Sequence, residues 1–218
     1  MSRLVVFDCD GTLVDGQAAI CDTMEDAFAA AKLPPPDRNA VRRMVGLSLP
    51  LALRELAPDA SEDQHAVALE AYRAGYRERR VTGLLEEPLY DGMAELIDRL
   101  ACAGWLLGVA TGKSDRGLLA CLETHGIRDR FVTLQTADRH PSKPHPAMLH
   151  EALAEAGVEA RHAVMIGDTT FDIDMARAAS VRALGVAWGY HEPAELLAAG
   201  ASGVARTMAE LEEMIGGE

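Results

Sequence analysis

The sequence predicts an α/β fold: a doubly wound parallel sheet with an all-helical segment inserted after the first strand. Three observations predict it. Short apolar runs alternate with helix-period segments through the second half of the chain, the pattern of βαβ units around a parallel sheet. The first apolar run, Leu4-Val5-Val6-Phe7, leads directly into Asp8-Cys9-Asp10-Gly11-Thr12, and open parallel sheets gather ligands at such strand ends. Between Gly16 and Glu87 there is no strand candidate, only helical periodicity.

The elements follow in order. Leu4 to Phe7 reads as a buried strand. Gln17 to Lys32 carries Ala, Ile, Met and Phe at helical spacing and is stopped by Pro34-Pro35-Pro36. Arg38 to Val45, Pro50 to Ala57 and Ser61 to Arg79 also read as helices. The alternation then resumes with a helix over Gly92 to Ala103, a strand over Leu106 to Ala110 and a helix over Asp115 to Thr124. A strand over Phe131 to Thr136, a helix over Ala147 to Ala156 and a strand over Ala163 to Ile166 come next. Phe171 to Ala179 is a helix, Ala183 to Val186 a strand and Pro193 to Ala199 a helix, and the acidic tail Glu210 to Glu218 reads as a last helix. The expected division is a Rossmann-like core of residues 1–15 and 88–218 with a helical unit of residues 16–87. Its hinges fall at Val14 to Gln17 and at Glu86 to Tyr90, the second marked by Pro88.

Composition narrows the function. With 218 residues, 49% of them hydrophobic, the chain suits one core plus a smaller insertion. A net charge of -13 argues against a nucleic-acid partner, since phosphate backbones select for Lys and Arg. It leaves room for a small phosphorylated substrate held by a local cation. Cys9, Cys21, Cys102 and Cys121 show no C-x-x-C spacing and are expected as free thiols. Asp8 and Asp10 arrive too early for a signal peptide, and no apolar run approaches a membrane span. The expectation is a soluble, cytoplasmic monomer or homodimer with no membrane partner.

Four segments carry chemistry that fits together. Asp8 and Asp10 leave the first strand, and Thr111-Gly112-Lys113-Ser114 follows Leu106 to Ala110. Ser142-Lys143-Pro144-His145-Pro146 precedes a helix, and Gly167-Asp168-Thr169-Thr170-Phe171-Asp172 follows Ala163 to Ile166. Two carboxylates at one strand end repel each other unless a cation or proton intervenes. One carboxylate can attack phosphorus, and a second can shuttle the proton. A hydroxyl and the backbone N–H groups of a helix start can hold phosphate oxygens. A lysine adds a point charge, and further acids suit Mg²⁺, which takes oxygen ligands. These are the parts of a phosphoryl-transfer site.

The set D-x-D-G-T, strand-end Thr, Lys and G-D-x-x-x-D, spread from Leu4 to about Val186, resembles the haloacid dehalogenase superfamily. Within it the chain looks like a phosphatase of the phosphoglycolate phosphatase type, with a helical cap after the first motif. The resemblance implies Asp8 as nucleophile and metal ligand, and Asp10 as general acid/base whose backbone carbonyl also binds metal. It implies Thr111, the Gly112 N–H and Lys143 at the phosphoryl group, and Asp168 on Mg²⁺. Asp172 is implied either in the metal shell or holding Lys143, and Thr12 as orienting the first loop. The cap would close over the site and select the leaving group, with Gly46-Leu47-Ser48 as a loop reaching down to it and Arg42, Arg43 and Arg54 as basic candidates.

Other readings of these residues are weighed against it. Gly112-Lys113-Ser114 is not a nucleotide-binding P-loop, because Leu107 stands where the leading glycine is required and Gly108 comes one residue late. Lys113 is therefore expected to face solvent. His140 and His145 are expected at the surface, while His65, His125, His150, His162 and His191 carry no signal. Cys9 is expected to point back into the sheet. A phosphomutase of the β-phosphoglucomutase type is the alternative enzyme, although Leu49 and Pro50 follow Ser48 where such a relative has an arginine. A phosphonate-cleaving relative needs a cap lysine, and the only one, Lys32, sits at a helix end. A catalytically idle binding protein on the same scaffold is the alternative of another class; it is expected when an acid or the lysine is missing, and none is.

Overall fold

A computed structural model describes residues 2–217. Strand β1 (Arg3–Phe7) is followed by four helices, α1 (Gln17–Ala30), α2 (Arg38–Met44), α3 (Leu49–Leu56) and α4 (Glu62–Val81). The remainder alternates: α5 (Met93–Cys102), β2 (Trp105–Thr111), α6 (Asp115–Thr124), β3 (Thr133–Thr136), α7 (Ala147–Ala156) and β4 (Ala163–Gly167). Then come α8 (Thr170–Ala178), β5 (Arg182–Val186), α9 (Pro193–Ala199), β6 (Val204–Ala205) and α10 (Met208–Gly216). All strand pairings are parallel, in the order β3-β2-β1-β4-β5-β6. The α/β doubly wound sheet expected from the alternation is therefore present.

The central strand explains the layering. Side chains alternate across a strand, and β1 splits accordingly. Val5 and Phe7 pack with Met93, Leu96 and Ile97 of α5 and with Leu118 of α6. Leu4 and Val6 pack on the opposite face with Met148 and Leu149 of α7 and Ile173 of α8. A strand buried on both faces reads as an unbroken apolar run, as Leu4 to Phe7 does. Helices α1–α4 bury a separate apolar cluster of their own, including Ile20, Met24, Phe28, Val41 and Leu53.

Helix starts follow local chemistry. Ser61 accepts from the Gln64 N–H while Gln64 Oε1 accepts from the Ser61 N–H, a reciprocal cap that fixes the start of α4. Several boundaries depart from expectation: α1 ends at Ala30 rather than Lys32, and α4 runs on to Val81 rather than Arg79. The residues before Thr133 form a single 3₁₀ turn over Arg128–Arg130, so β3 is shorter than Phe131 to Thr136. Helix α10 starts at Met208 because Thr207 caps it, accepting from the Glu210 N–H; Glu218 lies outside the described residues. Strand β6, two residues long, was not anticipated, because two residues show no alternation.

The two connections to the helical segment run side by side. Asp15 N donates to Pro88 O at 2.8 Å and Tyr90 N to Leu13 O at 3.1 Å, around a bridge between Val14 and Leu89. Cys9, Cys21, Cys102 and Cys121 are all free, and Cys9 is packed into the core as expected. Among the described residues no helix is long and apolar enough to cross a membrane.

Candidate active site

The sheet order puts β1 between β2 and β4, with Phe7 level with Val109 and Ile166. The residues leaving these three strands therefore share one edge. Asp8 follows β1, Thr111 ends β2, and Asp168 follows β4. Asp8, Thr111 and Asp168 are each at most 1% exposed, and Lys143, from the loop before α7, is fully buried beside them.

Lys143 is clamped between two carboxylates. Its Nζ lies 2.9 Å from Asp8 Oδ1 and donates to Asp172 Oδ1 at 2.6 Å. The backbone N–H of Cys9 also donates to Asp8 Oδ1, at 2.7 Å. Asp8 Oδ2 is buried and has no hydrogen-bond partner. Asp168 is fixed from two sides: Thr12 Oγ1 donates to its Oδ1 at 2.8 Å and Tyr190 N to its Oδ2 at 3.0 Å. Asp172 Oδ2 accepts from the N–H and the hydroxyl of Thr169, closing the start of α8. The carboxylates of Asp8, Asp168 and Asp172 offer oxygens within 4.8 Å of one another, a set that could hold a divalent cation.

Burial raises the Asp8 carboxyl to about 7 against the pull of Lys143. Burial also carries Asp168 well above the ordinary carboxylate range, with Asp172 and Asp8 adding repulsion. For Lys143, burial works against the charge, but Asp172 and Asp8 outweigh it and hold the ammonium above an ordinary lysine. Buried acids with raised affinity for protons are acids in want of a cation.

Asp10 points elsewhere. Its carboxylate is not among the three that converge; Oδ1 lies 2.9 Å from Nζ of Lys113, a charge contact. Burial raises its carboxyl, opposed by Lys113. Lys113 corrects the expectation of a solvent-facing side chain: its side chain is 7% exposed and paired with both Asp10 and Glu87. Glu87 lies 2.6 Å from Lys113, accepts from Tyr76 OH at 2.6 Å and pairs with Arg80 at 3.0 Å. Burial opposes its charge, but Lys113 and these partners bring its carboxyl down to about 2. A residue read only as part of a linker thus joins Asp10 to helix α4.

Thr111 Oγ1 accepts from the Lys113 N–H at 3.2 Å. Gly112 meets the helical segment: a Cβ there would collide with the backbone oxygens of Leu47 and Gly46. The Gly46-Leu47-Ser48 loop therefore does reach the strand ends, and Ser48 N donates to Ser142 Oγ at 2.8 Å, next to Lys143. The basic candidates Arg42, Arg43 and Arg54 do not line the cavity above the acids; Arg73, Arg77 and Arg80 of α4 do. Arg43 instead forms a two-pronged pair with Glu195, and Arg54 pairs with Glu62. His191, which carried no signal, is buried and bridges the two parts: its Nδ1 accepts from Thr170 N, and its Nε2 meets Arg43 O at 3.1 Å.

Removing the Lys113 charge leaves the buried Asp10 carboxylate without its cation and Glu87 with Arg80 and Tyr76 alone. Lys113→Met is expected to lower unfolding free energy by about 3–5 kcal/mol, read from urea denaturation. A change below about 1 kcal/mol contradicts a buried pairing.

Residues 5–186 match the family described as Haloacid dehalogenase-like hydrolase. A probable phosphatase, IndB, of Dickeya dadantii (strain 3937) is 36% identical over 217 residues, covering 97% of this chain and 92% of its own. A phosphoglycolate phosphatase of Rhodospirillum rubrum is 34% identical, covering 91% of this chain and 86% of its own. The crystal structure of a predicted phosphatase from Clostridium acetobutylicum superposes with a TM-score of 0.88 at 26% identity, covering 99% of this chain and 98% of that one. The chain therefore belongs to the haloacid dehalogenase-like hydrolase family.

Proposed function

We propose that this chain is a Mg²⁺-dependent phosphatase that hydrolyses a small phosphomonoester through an aspartyl-phosphate on Asp8. The observation that carries the reading is the asymmetry of the Asp8 carboxylate. One oxygen is held by Lys143 and the Cys9 N–H, while the other is buried and without a partner. Leaving a buried carboxylate oxygen unsatisfied costs free energy unless a ligand or substrate meets it.

The Asp8 carboxylate, with Asp168 and Asp172 alongside, also fits a divalent cation. Asp8, Asp168 and Asp172 would hold it, with the Asp10 backbone carbonyl as the family resemblance implies. When bound, Mg²⁺ supplies charge neutralisation between the acids and the phosphoryl oxygens.

The residues then divide the work. Asp8 attacks phosphorus, forming an oxygen–phosphorus bond as the ester bond to the leaving oxygen breaks. Asp10, whose carboxyl burial favours protonated, gives its proton to that oxygen. Asp10 next takes a proton from water, which attacks the same phosphorus, freeing phosphate and regenerating the Asp8 carboxylate. Lys143, the Thr111 hydroxyl and the Gly112 N–H steady the phosphoryl oxygens. In this reading residues 16–87 act as a cap over a core of residues 1–15 and 88–218, keeping bulk water from the acyl phosphate. Relatives named phosphatase and phosphoglycolate phosphatase support the reaction class.

Asp8→Asn keeps the shape and removes the nucleophilic oxygen. Phosphate release is expected to fall by about three orders of magnitude or more; activity within about tenfold of the parent excludes covalent catalysis at Asp8.

Metal binding has a readout apart from turnover. In metal-free protein, protonation of Asp8 contributes stability that is complete below the unfolded value of 3.8 and is lost as pH rises through about 7. Mg²⁺ competes with that proton, so the rise in Tm on adding Mg²⁺ is expected to be larger at about pH 8 than at about pH 5.5. Equal rises at both pH values count against Asp8 as a ligand.

A further inference from the structure

A cavity of about 670 Å³ opens between the strand ends and helices α1–α4, with Asp8, Asp10, Thr111 and Gly112 among its lining residues. That volume lies within the range that encloses a drug-sized ligand. A phosphoryl group needs only the part next to the acids.

Away from the acids the walls are apolar. Ile20, Met24, Val41 and Leu49 line the cavity, with Tyr72 and Tyr76 beside them. These residues belong to or pack on the apolar cluster of α1–α4, and the two tyrosine rings stack with centroids 5.6 Å apart. Apolar walls reward a leaving group that surrenders apolar surface.

The charges in the lining point the same way. Lys113 is held by Asp10 and Glu87, Arg80 by Glu87, and Arg73 by Glu70. The other two cations of the lining, Arg77 and Arg116, have no ion-pair partner among the described residues, but both are exposed, where a pair with a substrate carboxylate gains little. A two-carbon acid would bring its carboxylate close to Asp8 and Asp10, where every lysine is already committed among the described residues.

We propose that the ester hydrolysed here carries an apolar leaving group of about ring size, seated between α1–α4 and the strand ends, rather than a short carboxylic acid. The proposal rests on the phosphatase reading above and names the substrate class for that site.

The test compares three esters of primary alcohols with Mg²⁺ present: 2-phenylethyl phosphate, ethyl phosphate and phosphoglycolate. kcat/KM for 2-phenylethyl phosphate is expected to exceed both others by about tenfold or more, the scale of burying one ring. Phosphoglycolate turned over as well as or better than 2-phenylethyl phosphate overturns the proposal and leaves the phosphatase reading standing. Phosphate release from none of the three overturns both. Leu49→Asp provides an independent arm, since Leu49 is the first residue of α3, where an acid suits the helix start. It is expected to cut kcat/KM for 2-phenylethyl phosphate several-fold more than for ethyl phosphate; equal losses overturn the proposal.

Discussion

The buried Lys143 between Asp8 and Asp172 is the interaction on which the rest of the site depends. It holds one Asp8 oxygen and leaves the other free, which turns a buried acid into a directed one. It also ties the loop before α7 to the ends of β1 and β4. Without an ammonium there, Asp8, Asp168 and Asp172 would meet in a low-dielectric site with only protons to separate them.

The charge balance of the whole site follows from that constraint. Asp8, Asp10, Glu87, Asp168 and Asp172 are buried with two lysines, Lys113 and Lys143, among them. Five carboxylates against these two ammonium groups and the Arg80 guanidinium on Glu87 leave an excess of two negative charges. A divalent cation offsets such an excess. The second lysine has a different task from the first. Lys113 joins Asp10 to Glu87, and Glu87 joins Tyr76 and Arg80 of α4. Asp10 is thereby linked to the helices that roof the cavity.

Much of this was legible in the sequence because short-range patterns encode it. The apolar run before Asp8, the glycine after Asp10 and the acids after Ala163 to Ile166 each report local structure, and a parallel sheet brings strand ends together. Asp172 was open between two tasks, and the structure has it accept from Lys143 while also lying in the acid cluster. What escaped is long-range. The Lys113–Glu87 pair and the His191 contact with Arg43 join segments far apart in the chain, and no local periodicity reports such pairings. The arginines were misplaced for the same reason: which face of α4 looks into the cavity depends on how α1 and α4 pack, and α4 reads as mostly polar. Gly112 needed the backbone of Leu47 beside it before its lack of a side chain acquired a meaning.

The covalent state of Asp8 during turnover tests the account most directly. Acid quenching in the steady state, followed by borohydride reduction and peptide mass spectrometry, converts an acyl phosphate on an aspartate into homoserine. The account predicts homoserine at position 8 and at no other aspartate. Steady phosphate release with Asp8 recovered intact, or homoserine at Asp10 or Asp168 instead, contradicts it.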